Sequence, residues 1–233
     1  MTEITILAVT RLSDGVCVAG LKQDSTWVRP TRPNASGWRQ LEYSDCKDKS
    51  GEWVVRKANV VAMDLVGPIP AGAHTEDWRV GDRLPKLVRE LPEDEYRLIC
   101  KNLQEGSTSP IEAPNASRSL VMVHPDKVTS FSFDIEENWK CQKRYAPRCT
   151  FGLGGKLYRR IPISDAEWRS YGRGQRKAHD GDCQLTAKEV FDELGAENCW
   201  LTLGRNEIDS TIYLMVIGVH LFPIRRFEMD FKR

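Results

Sequence analysis

A chain of 233 residues, 40% of them hydrophobic, has apolar side chains enough for one large domain or two small ones, which excludes disorder of the whole. Its seven cysteines, at 17, 46, 100, 141, 149, 183 and 199, are odd in number and contain no CxxC pair, so neither a disulfide framework nor a zinc cluster is written here, and no metal or cofactor is expected. No stretch reaches the ~18 apolar residues of a membrane span, and the first residues lack the features of a signal peptide, so the expectation is a cytoplasmic protein with free thiols and no membrane partner.

In chain order, Ile4 to Val9, Val16 to Leu21 and Thr26 to Arg29 are β-prone runs separated by Ser13-Asp14-Gly15 and Gln23-Asp24-Ser25, the pattern of a three-strand meander. Pro30, Pro33, Asn34 and Gly37 stop the third run, and a polar loop leads to a strand over Asn59 to Val66 that ends at Gly67-Pro68. Asp94 to Leu103 places Tyr96, Ile99, Cys100 and Leu103 at helical spacing behind Pro92 and three consecutive acids, where negative charge suits the helix dipole. The loop-rich stretch around Gly106 to Pro110 and Pro114 to Ser117 suggests a division into units 1–108 and 109–233.

Beyond it, Leu120 to Val123, Lys127 to Phe133, Cys149 to Phe151 and Lys156 to Ile163 read as strands. A helix over Ser164 to Tyr171 would take Ser164 as its N-cap. A second, over Thr186 to Leu194, carries a capping box in Thr186 and Glu189 and stops at Gly195. Thr211 to Phe222, rich in β-branched and aromatic residues, reads as a buried strand, although its length also suits a buried helix. About ten strands with few short helices make a mainly β fold of one or two small barrels, not an alternating α/β sheet.

Several strings are also familiar in their order. Ile6 to Gly20, Trp27-Val-Arg-Pro30 and His74-Thr-Glu-Asp-Trp78 are followed by Cys149 to Tyr158, Ser164 to Trp168, Leu201-Thr-Leu-Gly204 and Tyr213-Leu-Met-Val216. Together they resemble the prokaryotic dual OB-domain family along nearly the whole chain. The resemblance implies two OB-like β-barrels packed together, with nucleic-acid or nucleotide binding and an antiviral-defence or mobile-element setting in which the chain serves a protein partner as an accessory subunit.

The formal net charge of +1 conceals a segregation that bears on such a role. Glu90 to Glu137 holds ten acidic and four basic residues, and Ala178 to Asp209 holds eight and two, a net of −6 in each. Between them, Lys140 to Lys177 holds eleven basic residues and two acidic ones, a net of +9. Arg144, Arg148, Lys156, Arg159, Arg160, Arg173, Arg176 and Lys177 alternate there with Tyr145, Tyr158 and Trp168. Cations neutralise phosphates while aromatic faces stack bases, the mixture that grips single strands. If Lys156 to Ile163 is a strand, Tyr158 stands between Lys156 and Arg160 on one face. The same composition also fits core rings with charges that balance the flanking acidic segments, or a protein-docking surface.

Gly172-Arg-Gly-Gln-Arg-Lys177 reads as a mobile cationic loop, and Gly152 to Gly155 as a plain hairpin, since neither carries the Lys-Ser/Thr pair of a P-loop. Trp27, Arg29 and Arg32 on a proline-stiffened corner form a second candidate ligand site. His74, Glu76 and Asp77 invite a metal or general-acid reading, against the alternative of a capped or ion-paired turn. No histidine has a nucleophile motif beside it, so no catalytic residues are assigned, and His220 in its apolar run reads as a satisfied core histidine.

Overall fold

The computed structural model describes residues 1–11, 15–33, 39–137 and 141–231; Ser13, Asp14, Asn34, Gly37 and Lys140 of the features above lie outside them. The chain forms two compact units, Met1–Leu98 with Pro110–Leu120, and Ile99–Ser109 with Val121–Arg233. It therefore passes between units after Leu98, Ser109 and Leu120, and the expected division at 108/109 lies beside the second of these passages.

Apolar residues recurring along short runs build the first unit's sheet. Its strands are β1 (Thr2–Arg11), β2 (Val16–Lys22), β3 (Trp27–Pro33), β4 (Arg39–Gln40), β5 (Asn59–Met63), β6 (Leu65–Pro68), β7 (Asp77–Val80) and β8 (Lys86–Glu90). They lie in the order β6-β7-β3-β2-β1-β5-β8, with β4 on β3, and the expected β1–β2–β3 meander is antiparallel throughout. The single strand expected over 59–66 is instead broken at Asp64: β5 pairs with β1 and β8, whereas β6 pairs with β7. The Asp64 carbonyl accepts the Gly81 N–H at 2.7 Å, so the chain changes partner at that residue.

Helix α1 (Glu93–Leu103) begins on the three expected acids. After it come β9 (Gln104–Glu105), the short α2 (Ser109–Glu112) and the second unit's remaining strands: β10 (Leu120–Val123), β11 (Lys127–Glu137), β12 (Lys143–Leu153), β13 (Lys156–Pro162), β14 (Cys183–Thr186), β15 (Asn198–Ile208) and β16 (Thr211–Phe222). Two four-stranded sheets result, β16-β15-β10-β9 and β13-β12-β11-β14. A parallel bridge from Ile163 to Val216 joins them, with the Ser164 N–H on the Val216 carbonyl at 2.9 Å. The β12–β13 turn is the plain hairpin expected, Gly154 and Gly155 both taking positive φ between the paired Leu153 and Lys156.

Helix α3 (Ala166–Ala178) corrects the sequence reading at both ends. Ser164 is engaged in the sheet, and Asp165 is the N-cap, its carboxylate accepting from the Glu167 and Trp168 N–H groups at 2.9 and 3.1 Å. The helix then continues through Gly172 to Lys177, so that segment is helical rather than a loop. Packing accounts for its first glycine: a Cβ at Gly172 would lie 2.1 Å from Phe133 Cδ1 and 2.2 Å from the Tyr145 hydroxyl. Helix α4 (Ala187–Leu194) has the expected capping box of Thr186 and Glu189 and ends on Gly195 at φ 60°. Among the described residues no helix is long and apolar enough to cross a membrane.

Gly172 and Gly174 give a paired test. Gly172→Ala should lower unfolding stability by about 3 kcal/mol through overpacking against the two rings. Gly174→Ala, where an added Cβ meets nothing within 4 Å, should raise it by about 0.5–1 kcal/mol through helix propensity. Urea denaturation of both variants checks the contrast.

Candidate nucleic-acid interface

Strands β11, β12 and β13 sort their side chains by the two-residue period of a strand. Opposed residues share a face, so the pairings Phe131–Cys149, Phe133–Pro147 and Ile135–Tyr145 make one face, and Ser132–Arg148, Asp134–Ala146 and Glu136–Arg144 make the other. Helix α3 covers the first face, with Trp168 4.7 Å from Phe131 and Tyr171 5.8 Å from Phe133, ring centre to ring centre.

Every ring of the basic segment is buried. Tyr145, Phe151, Tyr158, Trp168 and Tyr171 are 5%, 0%, 7%, 2% and 7% exposed. Tyr158 stacks on Phe151 at 5.0 Å, and its hydroxyl hydrogen-bonds the Thr108 hydroxyl at 2.6 Å. Tyr145, Tyr158 and Trp168 are therefore core residues and not a base-stacking platform, because a close-packed interior takes up their faces.

Tyr158 does not stand between two cations either. The Lys156 ammonium lies over its ring at 4.6 Å, but the β12–β13 register shifts between Cys149 and Phe151. There Arg160 takes φ 50°, and its guanidinium turns to the opposite face, onto Asp134 at 3.1 Å, Glu136 at 2.9 Å and Ser132 at 3.3 Å.

The cations fall into separate groups. On the outer sheet face Arg148 forms a two-bond pair with Glu136, which also receives Arg160. On α3, Arg173 pairs with Asp230, and Arg176 with Asp182 and the Phe133 carbonyl. Arg144, Arg159 and Lys177, with Lys143, are exposed and have no ion pair among the described residues. The hydrogen bonds from Arg148, with a further contribution from Arg160, hold the Glu136 carboxyl below its ordinary range.

The second candidate site is committed internally. Arg29 Nε meets Asp77 Oδ1 at 2.6 Å, and Asp77 is fully buried. Arg32 meets Asp45 at 2.9 Å, the Gly81 carbonyl at 3.0 Å and Asp82 at 3.4 Å, while Trp27 is half-buried opposite Leu21. Glu76 does not join Asp77 in a metal or acid–base group: its carboxylate accepts the Ser119 N–H at 2.6 Å, the Leu120 N–H at 3.2 Å and the Ser119 hydroxyl at 3.2 Å. That is an ion-paired, capped structure. His220 is likewise buried and meets the Thr202 hydroxyl at 2.8 Å.

The carboxylates that complete these groups were not singled out from sequence. Asp134 and Glu136 carried a signal, two acids at strand spacing facing a basic strand. Asp230, 57 residues from Arg173, carried none.

A family model described as the dual OB-containing domain matches residues 2–187. No curated protein matches the chain.

The Glu136 cluster yields a pH prediction. Its carboxyl is depressed in the folded state, so the stability it confers is fully present above its ordinary value of 4.5 and is lost as pH falls through the lower folded value. Glu136→Gln should cost about 1 kcal/mol at neutral pH and flatten this part of the acid limb. Urea midpoints measured from pH 3 to 6 check both.

Proposed function

Because the chain belongs to the dual OB-containing domain family, we propose that it is a non-catalytic module that binds single-stranded or structured nucleic acid through phosphate contacts. OB-type sheets present a face and loops to oligonucleotides, but a fold alone is weak warrant, so the reading rests on particular side chains. The observation that carries it is the sorting on β12 and β13: rings inward, with Lys143, Arg144 and Arg159 exposed and free of carboxylate partners among the described residues. Arg148 and Arg160, held by Glu136 and Asp134, lie on the outer face with Arg144. Cations without exposed rings favour contact with the backbone over readout of bases, hence binding that depends steeply on salt and little on sequence.

On this reading the chain is a cytoplasmic accessory subunit, and a protein partner in a prokaryotic defence or mobile-element complex supplies any catalysis. The commitment of Glu76 and Asp77 to structural bonds supports that division of labour. A second reading, a protein-docking adaptor, is favoured by β8: it ends its sheet, all five residues are exposed, and Leu87 and Val88 are among them.

Arg144→Gln/Arg159→Gln removes two exposed cations that form no ion pair among the described residues, sets no carboxylate opposite Glu136, and should leave the thermal midpoint unchanged. Its affinity for a labelled single-stranded oligonucleotide should fall at least about tenfold at low salt, and the slope of log affinity against log salt should flatten by about 1.4. Fluorescence anisotropy over a salt series measures both. Unchanged binding in the double variant, or salt-insensitive binding by the native chain, overturns the proposal; a partner captured equally by both proteins moves the weight to the adaptor reading.

A further inference from the structure

Residues 223–231 follow β16 without regular secondary structure, yet side chains and backbone tie them to the second unit. Arg225 Nε donates to the Leu194 carbonyl at 2.6 Å, Phe227 lies 5.2 Å from the Tyr171 ring, and the Asp230 N–H donates to the Ala166 carbonyl at 2.9 Å. The buried Asp230 carboxylate pairs with Arg173 and lies 3.8 Å from Arg169 Nε. Both guanidinium groups also sit over one ring, that of Tyr145, at 4.9 and 4.5 Å, and the Tyr145 hydroxyl donates to the Arg169 carbonyl at 3.1 Å.

Two guanidinium groups four residues apart on a helix repel one another, and a negative ring face with a shared carboxylate offsets that repulsion. Planar N–H forks that converge over an aromatic floor are also the arrangement that receives a phosphate group. Around the Tyr145 phenol, whose ionisation burial pushes up, Arg169 and Arg173 share the carboxylate of Asp230, while the nearby Arg176 pairs with Asp182. The Arg173 side chain is 33% exposed, which leaves a side open to solvent, and a neighbouring groove of 410 Å³ is lined by Tyr171, Gly174 and Gln175 of α3 together with Phe227 and Glu228.

We propose that Arg169, Arg173 and Tyr145 form a binding site for a phosphate group, and that Asp230 occupies it as an internal surrogate which phosphate displaces. The class of ligand rests on the polyanion reading above; the site and its occupant rest on this geometry alone. Displacement breaks the Asp230 ion pairs and frees its N–H from the Ala166 carbonyl, and the 223–231 segment then swings on the bond between Arg225 and the Leu194 carbonyl.

The test compares the full chain with Asp230→Asn, which keeps the shape and the backbone bond to Ala166 but removes the charge. Asp230→Asn should gain about tenfold affinity for inorganic phosphate by titration calorimetry, and Arg173→Gln in that background should abolish the gain. In the native chain, added phosphate should accelerate hydrogen exchange of the Asp230 amide several-fold, a readout that needs no variant. A matching gain for 5′-phosphorylated over unphosphorylated oligonucleotide assigns the group to a nucleic-acid end; a gain on inorganic phosphate alone assigns it to a free anion. A folded Asp230→Asn protein with no gain, or unchanged amide exchange should the variant not fold, overturns the proposal. Phosphate affinity is read apart from oligonucleotide binding through Arg144 and Arg159, so the two proposals fail separately.

Discussion

One buried carboxylate sets the geometry of the second unit. Asp165, with no exposure, accepts the Glu167 and Trp168 N–H groups at the head of α3 and, with its other oxygen, the Val219 N–H of β16 at 2.7 Å. A buried charge is tolerable only when donors satisfy it, and here three backbone amides do so. The helix is thereby tied at its first turn to β16, and from that anchor Trp168, Tyr171 and Gly172 meet the ring face of β11 and β12.

That anchoring decides what the basic segment is able to do. With α3 laid on one face of the sheet, Tyr145 becomes packing between sheet and helix, Phe151 and Tyr158 are buried against each other, and the stacking capacity of all three, worth about 1–3 kcal/mol per base when open, is spent inside. Arg144, Arg148 and Arg160 keep to the other face. Some are set in fixed geometry by Asp134 and Glu136, and others, such as Arg144 and Arg159, are left to solvent. Removing rings but keeping charges shifts the expected recognition from bases to backbone.

The first unit shows the same logic at smaller scale. Glu76 and Asp77 are neighbours in sequence but point to different tasks, one accepting the amides of Ser119 and Leu120, the other holding Arg29. Both are buried carboxylates bound to donors, so the two acids that are adjacent in the chain serve separate structural bonds in the fold.

Local physics determined much of this from the chain itself. The β1–β3 meander, the strands at 120–123, 127–133, 156–163 and 211–222, the α4 capping box and the Gly154-Gly155 turn all follow from alternation, caps and turn chemistry acting within a few residues. Elements without such a signal were not legible: β8 is exposed on every residue and so shows no alternation, and β7 and β14 are four residues long. The run of +9 net charge was equally plain, but composition cannot say which partner each charge meets. Arg173 meets Asp230 from 57 residues away, and Arg160 reaches Asp134 and Glu136 only because a register shift turns its backbone at that residue. Ion pairing and burial depend on distances through space, and those exist only once the sheet, the helix and the closing segment are in place.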